Sequence, residues 1–142
     1  MSGATSGQTA VDFRVRYGET DQMGVAYHAH YLVWCEMART EHMRRVGVRY
    51  RDLETRGFKL AVAEASLRYA RPARYDDEVR AIAWLADVGS RAVTFGYQIE
   101  RVDDGAVLCT AATTLVCLDA VNRPARMPED VIRQMKAMVQ GA

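Results

Sequence analysis

Val15-Arg16-Tyr17-Gly18-Glu19-Thr20-Asp21-Gln22-Met23-Gly24-Val25-Ala26-Tyr27-His28-Ala29-His30-Tyr31-Leu32-Val33-Trp34-Cys35-Glu36 changes character twice within one short span. Up to Tyr17 it continues a run in which Val11, Phe13, Val15 and Tyr17 alternate with Asp12, Arg14 and Arg16. A period of two puts one side of a strand against a core and the other in water, so residues 11–17 read as a half-buried strand. Gly18 and Gly24 bracket a polar turn. From Tyr27 to residue 46 the length and composition are those of a helix, with Gly47 as its stop. The strand-to-helix joint falls near residues 24–28, flanked by Asp21 and His28. N–H groups in the first turn of a helix have no intrahelical acceptor and carry the positive end of its dipole. A carboxylate beside such groups has the parts to attack a polarised carbonyl, or to direct water at one. On spacing alone Asp21 is equally a turn or N-cap aspartate.

Outward from the joint, the first half of the helix (Tyr31, Leu32, Val33, Trp34, Cys35, Met37, Ala38) is apolar nearly all round and is predicted to be buried on most sides. The second half carries Arg39, Thr40, Glu41, Arg44 and Arg45 on a polar face. Residues 50–57 read as a polar connection. Strands follow. Phe58, Leu60 and Val62 share one parity while Leu67 and Tyr69 have the other, so either the strand bulges within 63–66 or Glu64 faces inward. Pro72 ends this strand. Residues 78–88, 91–101 and 106–118 are the next three, with Asp103-Asp104-Gly105 as a hairpin turn. Pro128 opens a short helix over 128–138. The order is a strand, a long helix, four antiparallel strands in a row and a small helix. It predicts an α+β domain in which a curved antiparallel sheet of about five strands wraps a long central helix. Residues 1–10 are small and polar and read as a loose tail; 11–142 form the single domain. Long apolar strands with free edges predict pairing with a second copy.

The totals narrow the function. A chain of 142 residues can bury one core. A formal net charge of +1 offers no field that would gather nucleic acid. Cys35, Cys109 and Cys117 lie in apolar segments, odd in number and without paired spacing, which points to a reducing cytosol and against a thiolate zinc site. The start lacks the apolar region of a signal peptide, and no apolar run nears the ~18 residues of a membrane span, so the expected location is cytoplasmic. His28 and His30 diverge by about 200° on a helix, so they do not form a metal site with Asp21.

Tyr17-x-x-Thr20-Asp21-x-x-Gly24-Val25-x-Tyr27-His28-x-x-Tyr31-Leu32, followed by Glu36-x-x-Arg39 and later by Tyr69-x-x-Pro72-Ala73-x-x-x-Asp77, resembles the signature of the 4-hydroxybenzoyl-CoA thioesterase-like family of hotdog-fold acyl-CoA thioesterases. It is most similar to the bacterial branch associated with the Tol-Pal system. The resemblance covers roughly residues 11–136. The chain departs from the family pattern at Asp76, often Gly, at His30, commonly Asn, and at Cys35, commonly aromatic.

The resemblance implies hydrolysis of an acyl-CoA thioester to free acid and CoA. Asp21 would be the nucleophile or general base. The His28 N–H would be the oxyanion donor, with its imidazole near the carboxylate. Tyr17 would orient the carboxylate or water, although a strand tyrosine is equally a core residue. Gly24, Val25 and Tyr27 would form the substrate-binding entry to the helix. No bound cofactor is implied, since CoA arrives with the substrate. A homodimer is the implied minimum and a homotetramer the fuller expectation, each pocket being built from two protomers. Two other readings stand beside it: a hotdog 3-hydroxyacyl-thioester dehydratase or hydratase, whose usual motif is absent, and a non-catalytic acyl-CoA-binding module. Glu64 is an outlying carboxylate candidate. Arg91, Arg123 and Arg126 are arginines available to CoA phosphates, read mostly as solvated surface.

Overall fold

A 17-residue helix, α1 (His30–Val46), lies across one face of a five-stranded sheet in the computed structural model, which describes residues 7–139. The strands are β1 (Gln8–Arg14), β2 (Lys59–Tyr69), β3 (Glu78–Val88), β4 (Ala92–Arg101) and β5 (Val107–Leu118). All pairings are antiparallel, in the spatial order β1-β3-β4-β5-β2. Two short helices, α2 (Tyr50–Thr55) and α3 (Glu129–Lys136), complete the chain. This is the hotdog fold expected from the sequence. Strict alternation makes β4 central: Val93, Phe95, Tyr97 and Ile99 are all buried. They meet a helix face of Trp34, Cys35, Ala38 and Met43.

The four later strands do not form one meander. Only β3, β4 and β5 follow one another; β2 pairs with β5, from Lys59↔Leu118 to Tyr69↔Cys109, and so occupies an edge. Its parity change is a bulge between Val62 and Glu64, so the first of the two sequence readings holds. Glu64 then pairs beside Thr114, whose neighbour on β4 is Thr94. Residues 50–57 are more than a connection, since α2 buries Leu53.

Three boundaries near the joint move. The first strand spans Gln8–Arg14 instead of 11–17, and Tyr17–Glu19 is a single 3-10 turn. Gln8, Thr9 and Ala10, assigned to the tail, pair with Trp84, Ala83 and Ile82; residues 1–6 lie outside the described residues. The helix begins at His30 instead of Tyr27. Its expected stop is in place: Gly47 is left-handed at φ 89°, donating to Arg44 and Met43 carbonyls, and the Val48 N–H returns to Met43 O.

Two expectations about α1 are corrected. Arg39 turns inward, 7% exposed, and donates to the hydroxyls of Tyr50 (3.0 Å) and Tyr97 (3.1 Å). Conversely Leu32, Val33 and Met37 are exposed in the single chain, as is Val62 on β2. Among the described residues no helix is long and apolar enough to cross a membrane.

Candidate active site

The polar turn of the opening stretch is a small hairpin. Thr20 bridges Ala26, the Asp21 N–H donates to Val25 O (2.8 Å), and the Tyr27 N–H donates to Glu19 O (2.8 Å). Gly24 sits at φ +79°, a conformation a side chain rarely adopts. An added Cβ there would meet nothing in the chain, so backbone conformation, and not crowding, requires this glycine. The loop is pinned by Glu19, a buried carboxylate that accepts from the Arg16 N–H (2.8 Å) and the Trp34 indole N–H (3.0 Å). Burial pushes its pKa up, but these hydrogen bonds outweigh burial and hold it below the usual range. On the far side Val25 bridges Arg74, and the Ala26 N–H donates to Ala73 O (2.8 Å). The loop is thus fastened to α1 and to the segment after β2.

Asp21 is at the head of this hairpin. Its Oδ1 accepts from the Met23 N–H (2.8 Å) and the Val25 N–H (3.4 Å), an Asx-type turn. Its Oδ2 has no partner among the described residues. The turn-aspartate reading is therefore correct for one oxygen and leaves the other available.

Beyond the hairpin, Tyr27 to Ala29 lead into α1 through short bonds: His30 N–H to Tyr27 O, Tyr31 N–H to His28 O and Leu32 N–H to Ala29 O. His28 therefore precedes the helix instead of standing in its first turn. The N–H groups of His28 and Ala29 have no acceptor among the described residues. They adjoin a cleft of about 270 Å³ lined by Ala26, His28, Tyr31, Tyr69, Ala70, Arg71 and Pro72. Two tyrosines shape it. The Tyr69 hydroxyl donates to His28 O (2.9 Å), and the Tyr31 hydroxyl accepts from the Ala73 N–H (3.0 Å). Their rings meet edge-on at 5.1 Å. Burial raises both pKa values, so both hydroxyls keep their protons and remain donors. The His28 ring lies 4.3 Å from that of Tyr27.

The single chain does not join the expected trio. No hydrogen bond links Asp21 to His28 or Tyr17 among the described residues. Tyr17 is 77% exposed, edge-on to Tyr75, and is neither core nor a partner of the carboxylate. Gly24, Val25 and Tyr27 do not line the cleft, although Tyr27 packs on its histidine. Among the described residues no three His, Cys, Asp or Glu side chains converge to hold a metal ion. Glu36 and Arg39 form the expected pair at 3.9 Å. Sequence reasoning missed Glu19 and Tyr69 as organisers of the site. Tyr69 stands in the quoted motif, but only the fold reveals that its hydroxyl reaches a carbonyl 41 positions earlier.

The model of the thioesterase-like superfamily matches residues 15–135, nearly the whole described chain. The chain belongs to this superfamily. It is an enzyme of the thioester hydrolase class. YneP of Bacillus subtilis, a candidate acyl-CoA thioesterase by its name, is 34% identical over 108 residues, 76% of this chain and 78% of the relative. The acyl-CoA thioester hydrolase YbgC of Escherichia coli O157:H7 is 28% identical over 87% of this chain and 92% of its own. The crystal structure of the hypothetical protein TT1821 from Thermus thermophilus superposes with a TM-score of 0.86 at 38% identity, covering 92% of this chain and 98% of that one. These similarities favour no single branch of the family, so the closer likeness to the Tol-Pal-associated set does not stand out.

Proposed function

We propose that the protein hydrolyses an acyl-CoA thioester to the free acid and CoA at the tyrosine-lined cleft before α1. The observation that carries this reading is the pair of unengaged N–H groups at His28 and Ala29, held at the cleft by the Tyr69 hydroxyl on the His28 carbonyl. Two such donors suit a carbonyl oxygen that gains negative charge as the thioester is attacked. Asp21, with one oxygen fixed by its own turn and the other unpaired, acts as the nucleophile or as the base that activates water. A thioester is reactive enough for one carboxylate and an oxyanion site to suffice. The acyl-CoA names of YneP and YbgC support the substrate class.

The working site is shared between two copies of the chain. Support comes from the separation of Asp21 from the cleft lining in one protomer, from exposed Leu32, Val33, Met37 and Val62, and from the unpaired edge of β2.

Thiol release from acetyl-, hexanoyl-, palmitoyl- and benzoyl-CoA, followed with a disulfide reagent, tests the reaction. Asp21→Asn is expected to abolish turnover while leaving the thermal midpoint near that of the parent. Near-normal hydrolysis by that variant would remove Asp21 from the mechanism.

A further inference from the structure

One wall of the cleft contains a peptide that is held at both ends. The Pro72 carbonyl accepts from Arg101 Nη2 (3.1 Å), and the Ala73 N–H of the same peptide donates to the Tyr31 hydroxyl (3.0 Å). A peptide is planar, so turning this one away from either partner disturbs both bonds. Arg101, the last residue of β4, is itself fixed by two carboxylates: Nε donates to Asp77 Oδ2 (3.3 Å) and Nη1 to Asp104 Oδ2 (2.8 Å). The same Asp77 oxygen accepts from the Arg74 N–H (2.9 Å), so the guanidinium and the turn after Ala73 share an anchor. Ala73 is fully buried and Tyr31 nearly so, which leaves no water to replace a lost partner. The Tyr31 hydroxyl spends a lone pair on Ala73, and its own proton has no acceptor among the described residues. Tyr31 nevertheless lines the cleft. Burial is the largest influence on this phenol and raises its pKa, while the Ala73 N–H and the Arg101 charge pull the other way.

We propose that Arg101 is a positioning residue of the reaction: through the Pro72–Ala73 peptide it aims and polarises the Tyr31 hydroxyl, which donates a hydrogen bond to the carbonyl oxygen of the thioester held in the cleft. A cation on the carbonyl of a peptide draws electrons toward that oxygen and makes the N–H a better donor. A hydroxyl that accepts such a bond becomes a better donor in its turn. No proton changes hands; Tyr31 stays neutral, and its bond strengthens as the carbonyl oxygen gains charge beside the His28 and Ala29 N–H groups. The role rests on the thioesterase reading for what the cleft holds. The linkage from Arg101 to Tyr31 is independent of that reading.

Arg80 supplies the comparison. It makes a two-point pair with Asp12 across neighbouring strands (2.8 and 2.9 Å) and has no hydrogen bond to the cleft segment. In thiol release, Arg101→Gln is expected to lower kcat about tenfold with KM within about twofold of the parent's. Arg80→Gln should keep the parent's kcat, whatever it costs in thermal midpoint. Tyr31→Phe keeps the ring against Trp34 and Tyr69 and should lose as much, and Arg101→Gln added to it should lower kcat no further. Losses that multiply in the double variant, or a normal kcat for Arg101→Gln, would overturn the proposal. Amide exchange followed by NMR needs no turnover. The Ala73 N–H should exchange at least about tenfold faster in Arg101→Gln than in the parent, and at the parent's rate in Arg80→Gln. Faster Ala73 exchange in a protein that cleaves no thioester would strike the hydrolase reading and leave the linkage standing; turnover with unmoved Ala73 exchange would strike the linkage alone.

Discussion

Single side chains carry two consequences that measurement can reach. The first concerns His42, fully buried beneath β1 and edge-on to Phe95. The Thr9 hydroxyl accepts from Arg45 (2.9 Å) and shares a hydrogen bond with His42 Nδ1 (2.7 Å), while Nε2 has no partner among the described residues. Burial, then the Arg45 charge, pulls its pKa down to about 4. In the unfolded chain the ring titrates near its ordinary value of about 6.5. As pH falls between these values the unfolded state takes up a proton that the folded state refuses. Stability should fall across that window by about 3 kcal/mol at most, with the His42 contribution to the slope fading above pH 7. Urea unfolding at pH 7 and pH 4.5, for the parent and His42→Leu, checks this: the variant's pH dependence should be flatter. The second concerns Tyr69. Tyr69→Phe keeps the ring against Tyr31 and loses only the donor to His28 O. The expected result is a fall in kcat of about tenfold, since the peptide joining the His28 carbonyl to the Ala29 N–H loosens, with KM and thermal midpoint nearly unchanged. Of these residues the sequence revealed Asp21, because an acid before a helix carries its own local signal. It did not reveal Tyr69, Glu19 or the inward turn of Arg39, whose partners are far along the chain.

The hairpin from Glu19 to Tyr27 depends on one carboxylate, and removing it should be felt at two levels. Glu19→Ala leaves the Trp34 indole N–H and the Arg16 N–H without their acceptor. The expected loss is on the order of 2 kcal/mol, accompanied by reduced turnover as Asp21's loop frays. Chemical denaturation and thiol-release kinetics on one preparation separate the two effects. At the other end of α1, Gly47→Ala should cost about 1 kcal/mol through its left-handed backbone. Elements with strict alternation, such as β4, were legible from sequence, and so was the α1 terminus, where a glycine marks the reversal. The position of β2 was not legible. A period of two specifies which face of a strand is buried but not which strand lies beside it, and the long passage through α1 and α2 carries β2 to the far edge. The start of α1 was overrun because Tyr27, His28 and Ala29 all suit a helix by composition; their tighter bonding pattern depends on the hairpin before them.

In the whole molecule, one chain leaves Leu32, Val33 and Met37 of α1 and Val62 of the edge strand β2 uncovered, surfaces suited to a subunit contact. Val62→Glu should shift the protein to a lower oligomer in sedimentation velocity and depress thiol release with it; an unchanged sedimentation coefficient would place the contact elsewhere. The interior has a different use. Cys35, Cys109 and Cys117 are all free and buried, and burial raises their pKa values, to about 12 for Cys35 and about 11 for Cys109. Thiolate is the form that reacts with a disulfide reagent, so the folded protein is expected to react only slowly with the dye that counts released CoA. Colour in the assay then belongs to the product. When the chain opens, three further equivalents per protomer appear, and the same absorbance that reports turnover becomes a clock for unfolding.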